Sequence, residues 1–415
     1  MHLHVLSLFL PFLLVTARPA PYDHVKTPIS LTRPKHAAFV DVDGVVKHTL
    51  LKSQLTRTAK KVSRGFKAFQ KNTGVLHPSD KGVHLELEKR AVGALELNDS
   101  SGVLWQGEVE VGTPPVKYTV DFDTGSSDLF LPSASCTLNC DGHKLYDTNA
   151  SSTAKKVGKT FSIGFGDGTS VSGDQYTDTV GLAHLNASGQ HIGVATQYSD
   201  GFDPASFSPD GLMGMGFEQI STYPANPVFQ TLVNQKQVTE PVFAFKITSG
   251  DSELYLGGTN KAKFTGSVTK VNVTQVGFWQ VNMDSVNVGG DAVITNIDSV
   301  IDTGTTLIVG DPTSVKNFYA AIPGSADASQ TVGDGFFTFP CNSAPDVSLS
   351  FGGSSFSVAP NLFNLGLVSA NSTDCVGGIA GMDGVGFWII GDTFLQNVYS
   401  VFDVGQKQVG FAELS

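Results

Sequence analysis

From Val103 onward the chain alternates apolar and polar positions in short runs, broken at close intervals by Gly, Pro, Asn or Asp. Runs at 117–122, 243–247, 254–256, 280–288 and 398–402 have the length and the β-branched or aromatic content of strands. Helical spacing is thin, with 227–234 and 312–321 as the candidates. The second has Asp311 placed as an N-cap and Pro312 at the first helical position. Many short strands with frequent turns predict an all-β architecture. The first quarter of the chain has another rhythm. A Pro-rich stretch is followed by residues 55–70, where apolar residues alternate with Lys and Arg at a spacing that suits a helix. At 415 residues the chain exceeds what one hydrophobic core usually serves, so two lobes are expected.

Composition along the chain sharpens the division. Residues 6–15 form a short apolar core followed by small residues at 15–17, which reads as a secretory signal over 1–17, with a cut after Ala20 as the alternative. A membrane span needs roughly 20 apolar residues, and Arg18 with the neighbouring prolines ends the run first. No apolar tail follows Phe411, so no membrane anchor is expected. Residues 1–90 carry 15 Lys and Arg against 6 Asp and Glu, whereas the remainder carries 12 against 32. A basic arm beside an acidic body suits an electrostatic clamp. Nucleic acid is the other partner such an arm suggests, but the export signal and Lys89-Arg90, a dibasic cleavage signature, argue against it. Residues 18–90 therefore read as a propeptide, with the mature chain opening near Ala91. The four cysteines, Cys136, Cys140, Cys341 and Cys375, are an even number in an exported chain and suit two disulfides, for which three pairings exist on paper. Their spacing fits no usual zinc pattern, and no metal or cofactor is expected. Asn98, Asn149, Asn186, Asn272 and Asn371 each open an Asn-X-Ser/Thr triplet, the acceptor pattern for glycans.

The chemistry is carried by a repeat. Val120-Asp121-Phe122-Asp123-Thr124-Gly125-Ser126-Ser127 returns as Val300-Ile301-Asp302-Thr303-Gly304-Thr305-Thr306, an apolar run delivering Asp-Thr-Gly and a hydroxyl pair. Leu212-Met213-Gly214 ends 91 residues after Asp123, and Ile389-Ile390-Gly391 ends 89 after Asp302. One Asp-Thr-Gly is an ordinary turn; two with matching apolar partners imply two related halves, each contributing a carboxylate. Here the chain resembles the pepsin-like aspartic peptidases, particularly the secreted fungal type, from about Gly102 to Ala412. The resemblance implies a bilobal β fold with the active site between lobes 91–270 and 271–415, joined near 265–275. It implies catalytic roles for Asp123 and Asp302. Two carboxylates roughly 3 Å apart cannot easily both ionise, so one serves as general base on water while the other holds a proton; this enzyme class is itself the standard illustration. Asp121, Asp128 and Asp298 read as local structural acids.

By the same resemblance Thr124 and Thr303 lock the two loops together, Gly125 and Gly304 permit close approach, and Ser126 and Thr305 bond the outer carboxylate oxygens. Residues 161–169 resemble the flap that covers substrate. The family usually has Tyr at Phe165 and Trp at Phe130, a hydrogen-bonded pair; with both apolar here, contact replaces the bond. Gly166 lies at the flap tip beside Asp167, an acid which in fungal relatives admits Lys or Arg before the scissile bond; a solvated turn Asp is the other reading. Phe278 and Trp279 match an aromatic stretch beside the cleft, or serve the core. The lobe arrangement favours the disulfides Cys136–Cys140 and Cys341–Cys375. A propeptide lysine that blocks the carboxylates is implied, with Lys60, Lys61 and Lys67 as candidates. The expected activity is that of a monomeric, exported acid endopeptidase on polypeptide substrates, made as a zymogen with its own propeptide as inhibitor. A vacuolar protease shares this chemistry, and a pepsin-fold binding protein is the reading from another class. Serine-hydrolase chemistry is argued against by the lack of a Gly-X-Ser-X-Gly elbow and by the setting of His143, His184 and His191 in polar loops.

Overall fold

The computed structural model describes residues 27–32, 39–82, 105–164, 170–204 and 207–415. The predicted strands form with small shifts at their ends: Val116–Asp123, Val242–Lys246, Ser252–Leu256, Trp279–Val288 and Val398–Asp403. They belong to a bilobal all-β fold. A seven-stranded sheet in the first half runs, in spatial order, Gln106–Val111, Val116–Asp123, Gly211–Gly214, Leu129–Pro132, Leu185–Tyr198, Ser170–Leu182 and Lys155–Gly164. A larger sheet takes in the second half and continues through Phe264–Val276, Gln408–Leu414, Val398–Asp403, Val242–Lys246 and Ser252–Leu256 to an edge formed by Thr27–Leu31. The segment expected to join the lobes is thus a strand, Phe264–Val276, paired with Gln408–Leu414. The short helices Val228–Asn234 and Pro312–Ala320 form where periodicity placed them. Asp311 caps the second by accepting from Ser314 N at 2.9 Å.

The repeat has a structural counterpart. Val116–Asp123 runs parallel to Gly211–Gly214, with Asp123 opposite Gly214, and the latter strand is antiparallel to Leu129–Pro132. In the second half Asp291–Ile301 runs parallel to Trp388–Ile390, which is antiparallel to Ile308–Gly310. The near-equal spacings of 91 and 89 residues therefore measure one recurring device: a crossed strand pair that ends in a carboxylate.

Helix α1 (His48–Thr73) is longer than the basic-apolar pattern over 55–70 indicated. Lys47, extended at the N-cap position, provides no side-chain cap, and the early turns are held by packing of Leu50 and Leu51. Gly74 ends the helix in the left-handed conformation, φ 79°. Leu51, Val62, Phe66 and Phe69 form one buried stripe against Phe278, Leu307, Phe387 and Ile389 of the second half. Gly65 lies against Phe278 so closely that a Cβ there would sit 2.2 Å from the ring, which fixes α1 flush on the body. Among the described residues no helix is long and apolar enough to cross a membrane.

Candidate active site

The two Asp-Thr-Gly turns meet tip to tip. Asp123 ends its strand and Asp302 follows Ile301 directly; both are 1 % exposed. The threonines bond reciprocally: Thr124 N donates to Thr303 Oγ1 and Thr303 N to Thr124 Oγ1, each at 3.0 Å. Each hydroxyl then donates across the junction, Thr124 Oγ1 to Ile301 O at 2.9 Å and Thr303 Oγ1 to Phe122 O at 2.7 Å. Four buried bonds thus set the separation of the turns, and burial makes each costly to break. The glycines explain the intimacy. A Cβ on Gly125 would lie 2.5 Å from the Asp302 carboxylate, and one on Gly304 would lie 2.2 Å from Asp123 Oδ1.

Each carboxylate is held twice by its own turn. Ser126 Oγ donates to Asp123 Oδ2 and Thr305 Oγ1 to Asp302 Oδ2, both at 2.6 Å. Gly125 N donates to Asp123 Oδ1 at 2.9 Å and Gly304 N to Asp302 Oδ1 at 3.0 Å. The inner oxygens converge on one cation from helix α1. Lys61 Nζ lies 3.1 Å from Asp123 Oδ1, 2.8 Å from Asp302 Oδ1 and 2.6 Å from Asp302 Oδ2. Of the three candidate lysines, only this one reaches both carboxylates. Its place on the helix explains the choice: Thr58, Lys61, Gly65 and Ala68 share the buried face, with small residues on either side that let the backbone come close. Lys60 and Lys67 point instead into a neighbouring cavity.

Burial pushes the Lys61 ammonium down, but the two carboxylates more than offset it and hold its pKa above the ordinary value. The carboxylates are driven apart. Asp123, despite desolvation, is drawn below the usual range by Lys61 and by the Ser126 and Asp302 hydrogen bonds. Asp302 is raised by burial and by the Asp123 charge, against the pull of Lys61. Neighbouring Asp121 is pushed well up, first by burial and then by the Asp123 charge.

Other expected site residues are placed as follows. Phe130 is buried and meets Tyr198 and Phe202 edge-on at 6.0 and 5.9 Å, in a cluster that includes Phe161 and Ile163 of the flap-bearing strand. Phe165, Gly166 and Asp167 lie outside the described residues, as does Asn98. Asn149, Asn186, Asn272 and Asn371 are all exposed. Disulfides join Cys136 to Cys140 and Cys341 to Cys375. Phe278 meets Phe66 of α1 at 5.9 Å, while Trp279 is a core residue whose indole donates to Met215 O at 2.9 Å. His143 is buried, with Nε2 2.7 Å from Phe202 O, and so differs from the polar-loop setting read from its neighbours. Sequence reasoning gave no sign of Arg64, Asn72 or His77 on the arm, whose partners lie far along the chain.

A two-lobed β fold with paired Asp-Thr-Gly turns defines the class of pepsin-like aspartic endopeptidases. Comparison with known proteins agrees: residues 105–414 match the family described as "Eukaryotic aspartyl protease". The chain is 46 % identical over 331 residues to an "Aspartic protease" of Phaffia rhodozyma, covering 78 % of this chain and 80 % of that one. It is 36 % identical to "Cathepsin D" of Bos taurus, over 74 % of this chain and 84 % of that protein. With "Rhizopuspepsin" of Rhizopus chinensis it shares 35 % over 78 % and 82 %. The chain belongs to the eukaryotic aspartyl protease family and is an aspartic-type endopeptidase.

Proposed function

We propose that this endopeptidase is exported as a zymogen whose basic arm blocks the cleft through Lys61, and that Asp123 and Asp302 hydrolyse peptide bonds at acidic pH once the arm has left. The observation that carries this reading is the Lys61 ammonium within 3.1 Å of both carboxylates. It stands where a water would have to sit to be addressed by both. With the arm gone, an ionised carboxylate takes a proton from that water as it attacks the carbonyl carbon. The protonated partner gives its proton to the carbonyl oxygen, and the pair then returns a proton to the leaving nitrogen. Burial and the Asp123 charge raise Asp302, effects that do not need Lys61 and that favour one proton held by the pair. Ser126 and Thr305 hold the Oδ2 atoms, and the amides of Gly125 and Gly304 donate to the inner Oδ1 atoms, so both carboxylates are fixed in orientation for chemistry at the inner oxygens. Substrates are unfolded polypeptides with large apolar residues about the scissile bond, and Asp167 adds tolerance for Lys or Arg before it.

The test is hydrolysis of a denatured protein across about pH 3 to 7 by acid-treated protein, with and without pepstatin, beside Asp123→Asn. Acid-dependent cleavage lost in both controls supports the dyad. No cleavage by a folded, matured sample would overturn it in favour of a binding protein.

A further inference from the structure

Asp128 is a buried acid that the reaction does not use. It lies five residues beyond Asp123 and is 4 % exposed. Oδ1 accepts from Ser221 Oγ at 2.7 Å, and both oxygens lie 3.0 Å from Thr222 N. An ionised carboxylate has about four acceptor sites, so these bonds leave room for a further donor. Helix α1 passes over this spot. Lys61 marks the dyad, while Lys71 Nζ donates to Thr222 O at 3.3 Å and Asn72 Nδ2 to Ser221 O at 2.9 Å. Arg64 stands between these anchors, roughly 4.5 Å along the helix axis from Lys61 at about 1.5 Å per residue. Beside it is a cavity of about 390 Å³ lined by Lys60, Arg64, Lys67 and Lys71 of the arm and by Ser162, Gly164 and Thr222 of the body. The Arg64 and Asp128 charges attract one another through this region.

We propose that Asp128, whose carboxylate lies directly behind the Thr222 wall of the cavity, is the anion of a substrate pocket between the base of the flap and the 218–222 turn, and that this pocket selects an Arg or Lys side chain which Arg64 imitates in the closed protein. The inference rests on the endopeptidase reading of the cleft. A buried carboxylate is costly without a cationic partner; the arm supplies one, and in the open cleft the cation of a substrate side chain can take its place. An extended peptide advances about 3.3 Å per residue, so the pocket serves a residue one or two places from the scissile bond. That place differs from the one immediately before the bond, which Asp167 would govern. Burial raises the Asp128 pKa and Arg64 opposes the rise. Once Arg64 has gone, Asp128 is neutral in strong acid and charged in weak acid. Preference for a cation therefore grows as pH rises.

The experiment compares kcat/KM of the matured enzyme on peptides carrying Arg, its neutral isostere citrulline or norleucine at each position around one scissile bond, at about pH 3.5 and about pH 6. At one position other than that before the bond, Arg should exceed citrulline by roughly tenfold at the higher pH and by about twofold at the lower. Asp128→Asn keeps an oxygen to accept from Ser221 and Thr222; it should flatten the Arg-to-citrulline ratio and remove its pH dependence. An Arg preference unchanged in Asp128→Asn overturns the proposal. So does a parent enzyme that cleaves norleucine peptides with pepstatin sensitivity but treats Arg and citrulline alike at every such position. This last result leaves the dyad reading intact, and it needs no variant to fold. Failure to cleave any peptide refutes the endopeptidase reading instead.

Discussion

His77 supplies a sharp test of the proposal that acid releases the arm. Its ring is 2 % exposed and boxed by Phe66 and Phe69 of α1 and by Phe278 and Phe387 of the body, at centroid distances of 4.9, 4.8, 5.8 and 6.2 Å. Ser79 N donates to Nδ1 at 3.2 Å, so that nitrogen accepts and the ring is neutral. Burial lowers the His77 pKa from 6.5 to about 4, with Asp80 as the charged group that opposes the shift. Once released into water the ring regains its ordinary value. Between those two pKa values the released arm binds more protons than the closed one, so closure is fully stable above about pH 6.5 and weakens as pH falls toward about 4. At about 1.4 kcal/mol per unit the shift is worth about 3 kcal/mol, or about 2 after allowance for solvent screening. Roughly half is developed by pH 5, about a fivefold change in the opening equilibrium. His77→Phe keeps the aromatic box and removes the titration. We predict that the acceleration of peptide hydrolysis on a jump from neutral pH to about pH 5 shrinks about fivefold, on top of a pH-independent weakening of closure because the Ser79 amide loses its acceptor. A folded His77→Phe protein that activates with the parent's rate and pH midpoint would refute the reasoning.

Lys61→Met leaves two carboxylates facing one another without their cation. Closure should weaken by about 3 to 5 kcal/mol, read as a lower melting temperature at pH 7 and as hydrolysis of a small peptide at about pH 6 before any chain cleavage. Replacing Cys341 and Cys375 by Ser opens a link across 34 residues; the loop-entropy relation gives a loss of about 3 to 4 kcal/mol, measurable by urea unfolding of the oxidised parent beside the variant.

Much of the fold was legible because the chain states its construction twice, once in each half. The spacing from Asp123 to Gly214 and from Asp302 to Gly391 is a parallel strand register written in residue numbers. The roles of the Ser126 and Thr305 hydroxyls were implied by the family resemblance, and the two residues occupy matching places in the two copies. Helix α1 was only half legible. It begins without a side-chain cap, and its first turns exist through packing on the body, which local pattern does not encode. The choice of Lys61 over Lys60 was also hidden: adjacent residues on a helix differ by about 100° in direction, and only the docked face says which points inward. Asp128 and His77 looked ordinary because their partners are distant in sequence. Ser221 and Thr222 hold the first, and Phe278 and Phe387 enclose the second.

If the arm is released by acid as proposed, its two pH-sensitive contacts should open at different acidities, which orders the events. Asp123 is held below the ordinary carboxylate range while Lys61 is present, so the part of closure owed to that pair persists until pH falls through this depressed value. His77 loses its contribution at higher pH, between 6.5 and about 4. The segment 74–82, which carries His77 and is held by Gly386 N donating to Ser79 O at 2.9 Å, should therefore leave the body before Lys61 leaves the dyad. A short hydrogen-exchange pulse on ice, applied to the intact chain at about pH 5, separates the two. Amides of Asp80 and of the Gly386 contact should lose protection by about fivefold relative to neutral pH, once exchange chemistry is corrected for acidity, while α1 around Lys61 stays protected. Loss of protection along the whole arm at one common pH would mean that the carboxylates alone govern release and that His77 only fills space.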